Sequence, residues 1–341
     1  MHCFHLATAG FEAARQLPDS ADSKLSGWHG HSFCVGVRSE PHHVDGVRIL
    51  TALQDAVRPF DYSALNERLT TPDDLALAQH ILNQIPCPAG LSLQGAPEHG
   101  VFIDEHGESL VWLDTSFEAA HCLPHVPPGH KCGRLHGHGF GVRLVANAAR
   151  ADVNAIRQAW APLHQQLNQQ YLNGIAGLAN PTSEVLAHWL YHQLIATLPQ
   201  LAWVEIFETH TAGSQYDGKL FRIWKEQHFE SAVPFDSHGR YTGHSYRVRL
   251  MLAGNIDQTM GWLLDFGDVK DRFKPIYRQL DHNPIDTLPG LHDTSLFALA
   301  EWIHAELSPQ VPELARVDLW STAHEGVSVT FRDAMRWPWA A

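Results

Sequence analysis

Residues 117–140 read FEAAHCLPHVPPGHKCGRLHGHGF, two short alternating segments joined by a Pro- and Gly-rich connection. Successive side chains of an extended chain point to opposite faces, so Phe117, Ala119 and His121 share a face, as do His136 and His138. If the two segments pair as a hairpin, His121 sits across from the His136/His138 pair. Three imidazoles then converge with a fourth position open, which is the arrangement of a catalytic zinc rather than a structural one. In a chain with 25 histidines an HxH pair also arises as a merely structural pattern. The placement of His121 and Cys132 around it favours one Zn2+ per chain.

The outline of this stretch recurs. Phe11-Glu12-Ala13-Ala14-Arg15 with His29-Gly30-His31 precedes it, and Phe229-Glu230-Ser231-Ala232-Val233 with Thr242-Gly243-His244 follows it, about 106 to 113 residues apart. A second marker keeps phase: Phe60-Asp61-Tyr62, Leu167-Asn168-Gln169 and Leu280-Asp281-His282. A third does too, at Thr71-Pro72-Asp73-Asp74, Asn180-Pro181-Thr182-Ser183-Glu184 and His292-Asp293-Thr294-Ser295. Three ordered markers in three copies describe a tandem triplication, with units at 1–108, 109–218 and 219–341. The first copy holds Arg15 where His121 stands, and the third holds Val233 and Thr242, so neither has a full ligand set. Help for His29 and His31 from another residue stays open.

Each unit reads as two strands, two helices and a closing β-rich stretch. In the second, residues 152–171 have helical spacing, 183–198 follow a Pro-Thr start with Glu184 in the first turn, and 203–208 alternate. The fold class is α+β, helices covering one face of a sheet whose open edges want partners. Three linked copies close edge to edge into a pseudo-trimeric ring.

Cys132 lies four residues before His136. Beside a dication and Lys131 its thiol is expected to ionise more readily than a free cysteine and to act as a general base. Cys122 competes for that role, but next to a ligand on a strand it points to the opposite face and reads as packed. Asp281-His282 is an adjacent carboxylate–imidazole pair suited to acid–base work, although such pairs also occur as plain helix-end polar residues. Glu208, at the end of a strand, is placed to bind a guanidine-like ring edge through paired N–H bonds; its bland alternative is an exposed strand-end glutamate. The counterparts of Glu208 are near Gly95 and Ser321.

The formal net charge of −13 excludes a general basic nucleic-acid binder. No run of about 18 apolar residues predicts a membrane span. The start lacks a secretory pattern, and five cysteines do not suggest a disulfide framework. A cytoplasmic protein is expected.

The 117–140 segment, LNGIAGLANPTSEVLAHWL and FETHTAGSQY resemble the 6-carboxytetrahydropterin synthase family of queuosine biosynthesis, a branch of the 6-pyruvoyltetrahydropterin synthase superfamily. GWLLDFGDVKDRFKPIYRQLDH and LPGLHDTSLFALAEWI in the third repeat are similar to the same family, and the first repeat is the most diverged. The resemblance implies tunnelling-fold (ββααββ) units, zinc on His121, His136 and His138, Cys132 as proton-abstracting residue, Asp281 and His282 assisting, and Glu208 anchoring a pterin. It implies cleavage of 7,8-dihydroneopterin triphosphate to 6-carboxytetrahydropterin, acetaldehyde and triphosphate by a homodimer of pseudo-trimers. Lys131, Arg134 and Arg240 are the basic candidates near the triphosphate. Triphosphate elimination to 6-pyruvoyltetrahydropterin, and a non-catalytic pterin- or purine-binding scaffold, are the rival readings. Family members carry the whole set in one short subunit. Here zinc, thiol and anchor are in the second repeat and the Asp-His pair in the third, supplied within the chain or by a partner chain.

Overall fold

Alternation of apolar and polar residues gives the described residues twelve main strands, each pairing with the next in sequence. They are β1 (His2–Arg15), β2 (His29–Ser39), β3 (Gly90–Ala96), β4 (His99–Ile103), β5 (Ser109–His121), β6 (His136–Asn147), β7 (Leu201–Thr209), β8 (Ala212–Tyr216), β9 (Phe221–Pro234), β10 (Tyr241–Gly254), β11 (Leu314–Trp320) and β12 (Glu325–Thr330). Every neighbouring pair is antiparallel, and β12 returns to β1, with His2 opposite Thr330 and Ala7 opposite Glu325. The sheet is therefore a closed barrel. The computed structural model describes residues 1–18, 20, 23–235 and 239–332; the end of the third repeat, 333–341, lies outside the described residues.

Helix pairs bridge the second and third strands of each set of four: α1 (Gly46–Val57) and α2 (Asp74–Leu82), α3 (Val153–Leu167) and α4 (Ser183–Leu194), α5 (Phe266–Leu280) and α6 (Leu296–Leu307). Each starts at a capping side chain, Asp45, Asp73, Asp152, Thr182, Asp265 and Ser295, whose oxygen accepts a first-turn N–H. The helices of the second set end earlier than their periodicity suggests. After Leu167 the chain turns, and Gln170–Tyr171 adds a two-residue parallel strand beside Ala119–Ala120. Ser63–Ala64 and Asn283–Pro284 do the same beside β1 and β9.

One face of the barrel wall packs under the helices. Phe117, Phe140, Val142 and Leu144 bury against Ile156, Trp160, Leu186 and Leu190, and the third set has its own equivalent cluster. The alternate residues face the lumen, where charge is paired: Arg143 with Asp114 (2.6 Å), Arg249 with Glu226 (2.7 Å), Arg316 with Asp318 (2.5 Å), and Arg38 with Glu105.

Where one set of strands meets the next, a glycine lets an indole lie on the wall. A Cβ on Gly213 would be 2.3 Å from Trp224 and 2.4 Å from the Ile206 carbonyl, and one on Gly100 would be 2.3 Å from both Trp112 and the Leu93 carbonyl. Gly213→Ala is therefore expected to cost about 1–3 kcal/mol and to lower the thermal unfolding midpoint by several degrees. Gly27→Ala, where nothing lies within 4 Å, is the control that should leave it unchanged.

Candidate active site at a seam between repeats

The β5–β6 hairpin sets the register of the three histidines. Phe117 pairs with Phe140, Ala119 with His138 and His121 with His136. The Phe117 and Phe140 rings stack at 5.1 Å and floor the cluster, with His138 4.1 Å from Phe140. Each imidazole is oriented by a carbonyl that accepts from its Nδ1–H: Pro181 for His121 (3.1 Å), Arg134 for His136 (2.7 Å) and Gly139 for His138 (3.0 Å). This leaves the three Nε2 lone pairs for another partner. The three rings offer ligand atoms within 4.8 Å of one another, and the Nε2 of His121 is buried with no partner in the chain. Burial, reinforced by His136 and His138 and opposed by the Pro181 carbonyl, pushes His121 down to about 4. A converging, all-nitrogen set fits a borderline divalent cation.

Cys132 sits half-buried in the tight turn Lys131–Gly133, its N–H donating to His130 Nδ1 (3.3 Å) and its carbonyl accepting from Leu123 (2.8 Å). The readily ionised thiol was expected beside a dication; in the metal-free chain its affinity for a proton is raised. Burial is the main cause, Glu208 and Asp265 add to it, and Lys131 only partly offsets them. Glu208, partly buried at the end of β7, is also held up by burial and by Asp265, against His138, Lys131 and His136. Thiol, anchor and histidines thus share one electrostatic neighbourhood. Cys122 is half-exposed rather than packed, its sulfur 3.5 Å from the Tyr171 hydroxyl.

The third repeat walls this site, through residues the sequence reading passed over. Asn180 Nδ2 donates to the Met260 carbonyl (2.7 Å), Thr182 Oγ1 to the Gly261 carbonyl (2.5 Å), and Glu184 Oε1 accepts from Leu263 N–H (3.1 Å). The clamped loop delivers Trp262 next to His130 and Asp265 Oδ2 to 3.7 Å from His130 Nε2. Gly261 is required there: its φ is +75°, and a Cβ would meet Asn180 at 2.8 Å. Lys225 on β9, bonded to Thr211 (3.0 Å), feels Lys270, Glu208 and Lys131, so three lysines share the electrostatic surroundings of Glu208. The signal for Asp265 was its helix-capping position. Glu184 was read as a helix-dipole residue, whereas its carboxylate ties two repeats together.

Asp281 and His282 are not brought to this cluster within one chain. Asp281 Oδ1 accepts from Glu230 N–H (3.0 Å), Oδ2 lies 3.0 Å from His282 Nδ1, and the His282 side chain is 77% exposed. His282 has a left-handed backbone (φ 60°), as do Tyr62 and Gln169. Asp61 and Asn168 make the same bond to Glu12 and Glu118. The carboxylate at 281 therefore has a structural duty shared by all three copies, besides facing His282.

The first repeat keeps this architecture with one ligand exchanged. Arg15, buried where His121 stands, donates to the Pro72 carbonyl (3.0 Å) as His121 does to Pro181, and pairs with Asp74 (2.7 Å), which also meets His99 (3.0 Å). His29 Nδ1 donates to Gly27 as His136 does to Arg134, and the Nε2 atoms of His29 and His31 are buried without partners. The place of Glu208 is empty of side chain: a Cβ on Gly95 would lie 2.1 Å from Asp74.

The family model described as 6-pyruvoyl tetrahydropterin synthase matches residues 110–219 and again 222–332. The 6-carboxy-5,6,7,8-tetrahydropterin synthase of Synechocystis sp. (strain ATCC 27184 / PCC 6803 / Kazusa) is 37% identical over 120 residues, covering 31% of this chain and 92% of that protein. Among solved structures, Caenorhabditis elegans 6-pyruvoyl tetrahydropterin synthase aligns at 17% identity and TM-score 0.30, over 32% of this chain and 94% of its own. A hyperthermostable urate oxidase mutant of Bacillus sp. TB-90 aligns at 7% identity and TM-score 0.34, over 61% and 88%.

Two outcomes follow from the seam. Arg15→His completes a three-imidazole set beside His29 and His31, and metal content per chain should rise by one equivalent over wild type; an unchanged count refutes the parallel. Burial pushes the Glu184 carboxyl from 4.5 up to about 7. Folded protein then holds this proton more tightly than unfolded protein, so the associated stability is whole below about pH 4.5 and is lost as pH rises to about 7. Glu184→Gln, which keeps an acceptor for Leu263, should flatten the fall in denaturation midpoint across that window.

Proposed function

Because the chain belongs to the 6-pyruvoyl tetrahydropterin synthase family, we propose that it is a zinc-dependent carbon–carbon lyase. It cleaves the side chain of 7,8-dihydroneopterin triphosphate to give 6-carboxy-5,6,7,8-tetrahydropterin, acetaldehyde and triphosphate, in queuosine and 7-deazapurine biosynthesis in the cytoplasm. The observation that carries this reading is the convergence of three Nε2 lone pairs beside a thiol and a part-buried carboxylate. No helix among the described residues is long and apolar enough to cross a membrane.

His121, His136 and His138 hold the cation. When bound, it supplies Lewis acidity to hydroxyl oxygens of the substrate side chain. Cys132 Sγ accepts the proton removed from the carbon skeleton, its turn fixed by the His130 contact to its amide. Glu208 accepts paired N–H bonds from the pterin ring edge. Lys131, Lys225 and Lys270 give the anionic triphosphate a basic flank. Arg134 lies in the turn before His136, and the Arg240 guanidinium lies over Phe235.

In this reading residues 1–108, 109–218 and 219–341 are three ββααββ tunnelling-fold units, the barrel is their pseudo-trimeric ring, and only the seam between the second and third keeps a full site. Asp281 and His282 then act on the Cys132 site of a partner copy. Support comes from the exposed apolar residues at their end of the barrel. Trp28, Leu135 and Tyr241 directly precede the three HGH-type positions and are 59%, 69% and 50% exposed, with Tyr62 and Tyr171 beside them. Such a ring on a soluble surface suits a second copy stacked on the same face.

Chelation or Cys132→Ala should abolish acetaldehyde and triphosphate release, with a loss of roughly 10²-fold or more for the thiol. Product mass distinguishes the carboxy from the pyruvoyl product. Metal or pterin binding by wild type without turnover would defeat the enzyme reading. Mixing inactive Cys132→Ala and His282→Ala chains under subunit exchange should restore measurable turnover, since one site per mixed dimer then has both groups; continued inactivity refutes the shared site.

A further inference from the structure

One other set of metal-ligating side chains converges among the described residues, far in sequence from the catalytic seam. Glu40, His42 and His43 each offer a ligand atom within 4.8 Å of the others. They stand on a four-residue turn directly after β2. The His43 N–H donates to the Glu40 carbonyl (3.0 Å), and Pro41 occupies the second position, where its fixed φ favours the turn. The turn puts three donors on its first, third and fourth positions without any long loop to be ordered. His42 Nδ1 is already 3.2 Å from Glu40 Oε2, and the two imidazole rings lie 3.9 Å apart at 46°. Tetrahedral zinc-type shells with bonds of about 2.0–2.1 Å hold ligand atoms roughly 3.3 Å apart, so modest side-chain rotations close this set around an ion.

The surroundings add to the case. A cavity of about 460 Å³ opens beside Glu40 and His43 and is also lined by His2 and His106, which brings two further imidazoles to the same rim. The corresponding segments before α3 and α5, residues 148–152 and 255–265, contain no histidine. The donors are therefore a property of the first repeat and not part of the repeated unit.

We propose that the Glu40–His43 turn is a second metal site, taking one borderline divalent cation of the zinc, nickel or cobalt class on two imidazoles and a carboxylate. It is independent of the His121, His136 and His138 centre. The His42 side chain is 66% exposed, so holding the set together costs side-chain freedom and water completes the shell. This site therefore binds more weakly and exchanges faster than the buried centre.

The test is titration of the chelator-stripped full chain with Ni2+ alone, counting equivalents by calorimetry and metal analysis. Wild type should show a tight equivalent and a weaker one. His42→Ala with His43→Ala should remove the weaker equivalent and leave the tight one and turnover unchanged. Glu40→Gln should weaken the second equivalent about tenfold, some 1.4 kcal/mol. His136→Ala with His138→Ala should do the reverse of the first pair, removing the tight equivalent only. If the His42/His43 variant binds as many ions as wild type, or if the exposed His188 and His192 pair on α4 proves to hold the weaker equivalent when both are changed to Ala, the proposal fails.

Discussion

Because residues 2–7 of β1 pair with residues 325–330 of β12, a sheet that would end in two unpaired edges instead closes on itself. Closure is what makes seams, and the three converging histidines, Cys132 and Glu208 stand at one of them. The last hairpin of each repeat, β3–β4, β7–β8 and β11–β12, lies against the first strand of the next. The loop that enters the following helix pair then falls beside the preceding histidine position. Covalent linkage of three units removes the association cost that separate subunits would meet. A unit that has lost its ligands still contributes four strands and two edges, and without it the ring opens.

The first repeat shows what can stand at such a seam in place of the histidine. Arg15 brings a permanent positive charge to the position of His121, anchors it on the equivalent carbonyl and neutralises it with Asp74. A buried guanidinium without a partner would be prohibitive, whereas one with a carboxylate and a carbonyl is tolerable. The exchange therefore had to come with Asp74, and Asp74 now fills the space beside Gly95 where a glutamate would project. His121 and Glu208 of the second repeat thus both lack a counterpart in the first, for one steric and electrostatic reason.

What was legible in the sequence follows physical range. The His121, His136 and His138 face is a period-of-two pattern inside one hairpin, and the register His121 to His136 realises it directly. The tandem repetition was visible because the same local duties recur: a side-chain oxygen at 61, 168 and 281 for the strand amide opposite, and a left-handed residue after it. That same recurrence gives the carboxylate at 281 a structural duty beside the acid–base role read for it, since Asn168 makes the identical bond with a carbonyl oxygen. The clamp on the site was not legible. Glu184 meets Leu263 79 residues away, and no local pattern announces that a first-turn glutamate will cross a seam instead of serving its own helix.

The electrostatics of the metal-free site have a consistent direction. Burial drives His121 toward its neutral form and, with Glu208 and Asp265, drives Cys132 toward its protonated form. In the metal-free chain the His121 lone pair is thus available and the thiol closed, and Lys131 only partly offsets that balance. On the proposed reading, a cation would meet His121 already without its proton. On the same reading, a cation held there would add the one charge beside which a thiolate is tolerable. The carboxylates that suppress the thiol would then make ionisation of Cys132 conditional on the histidine cluster being filled.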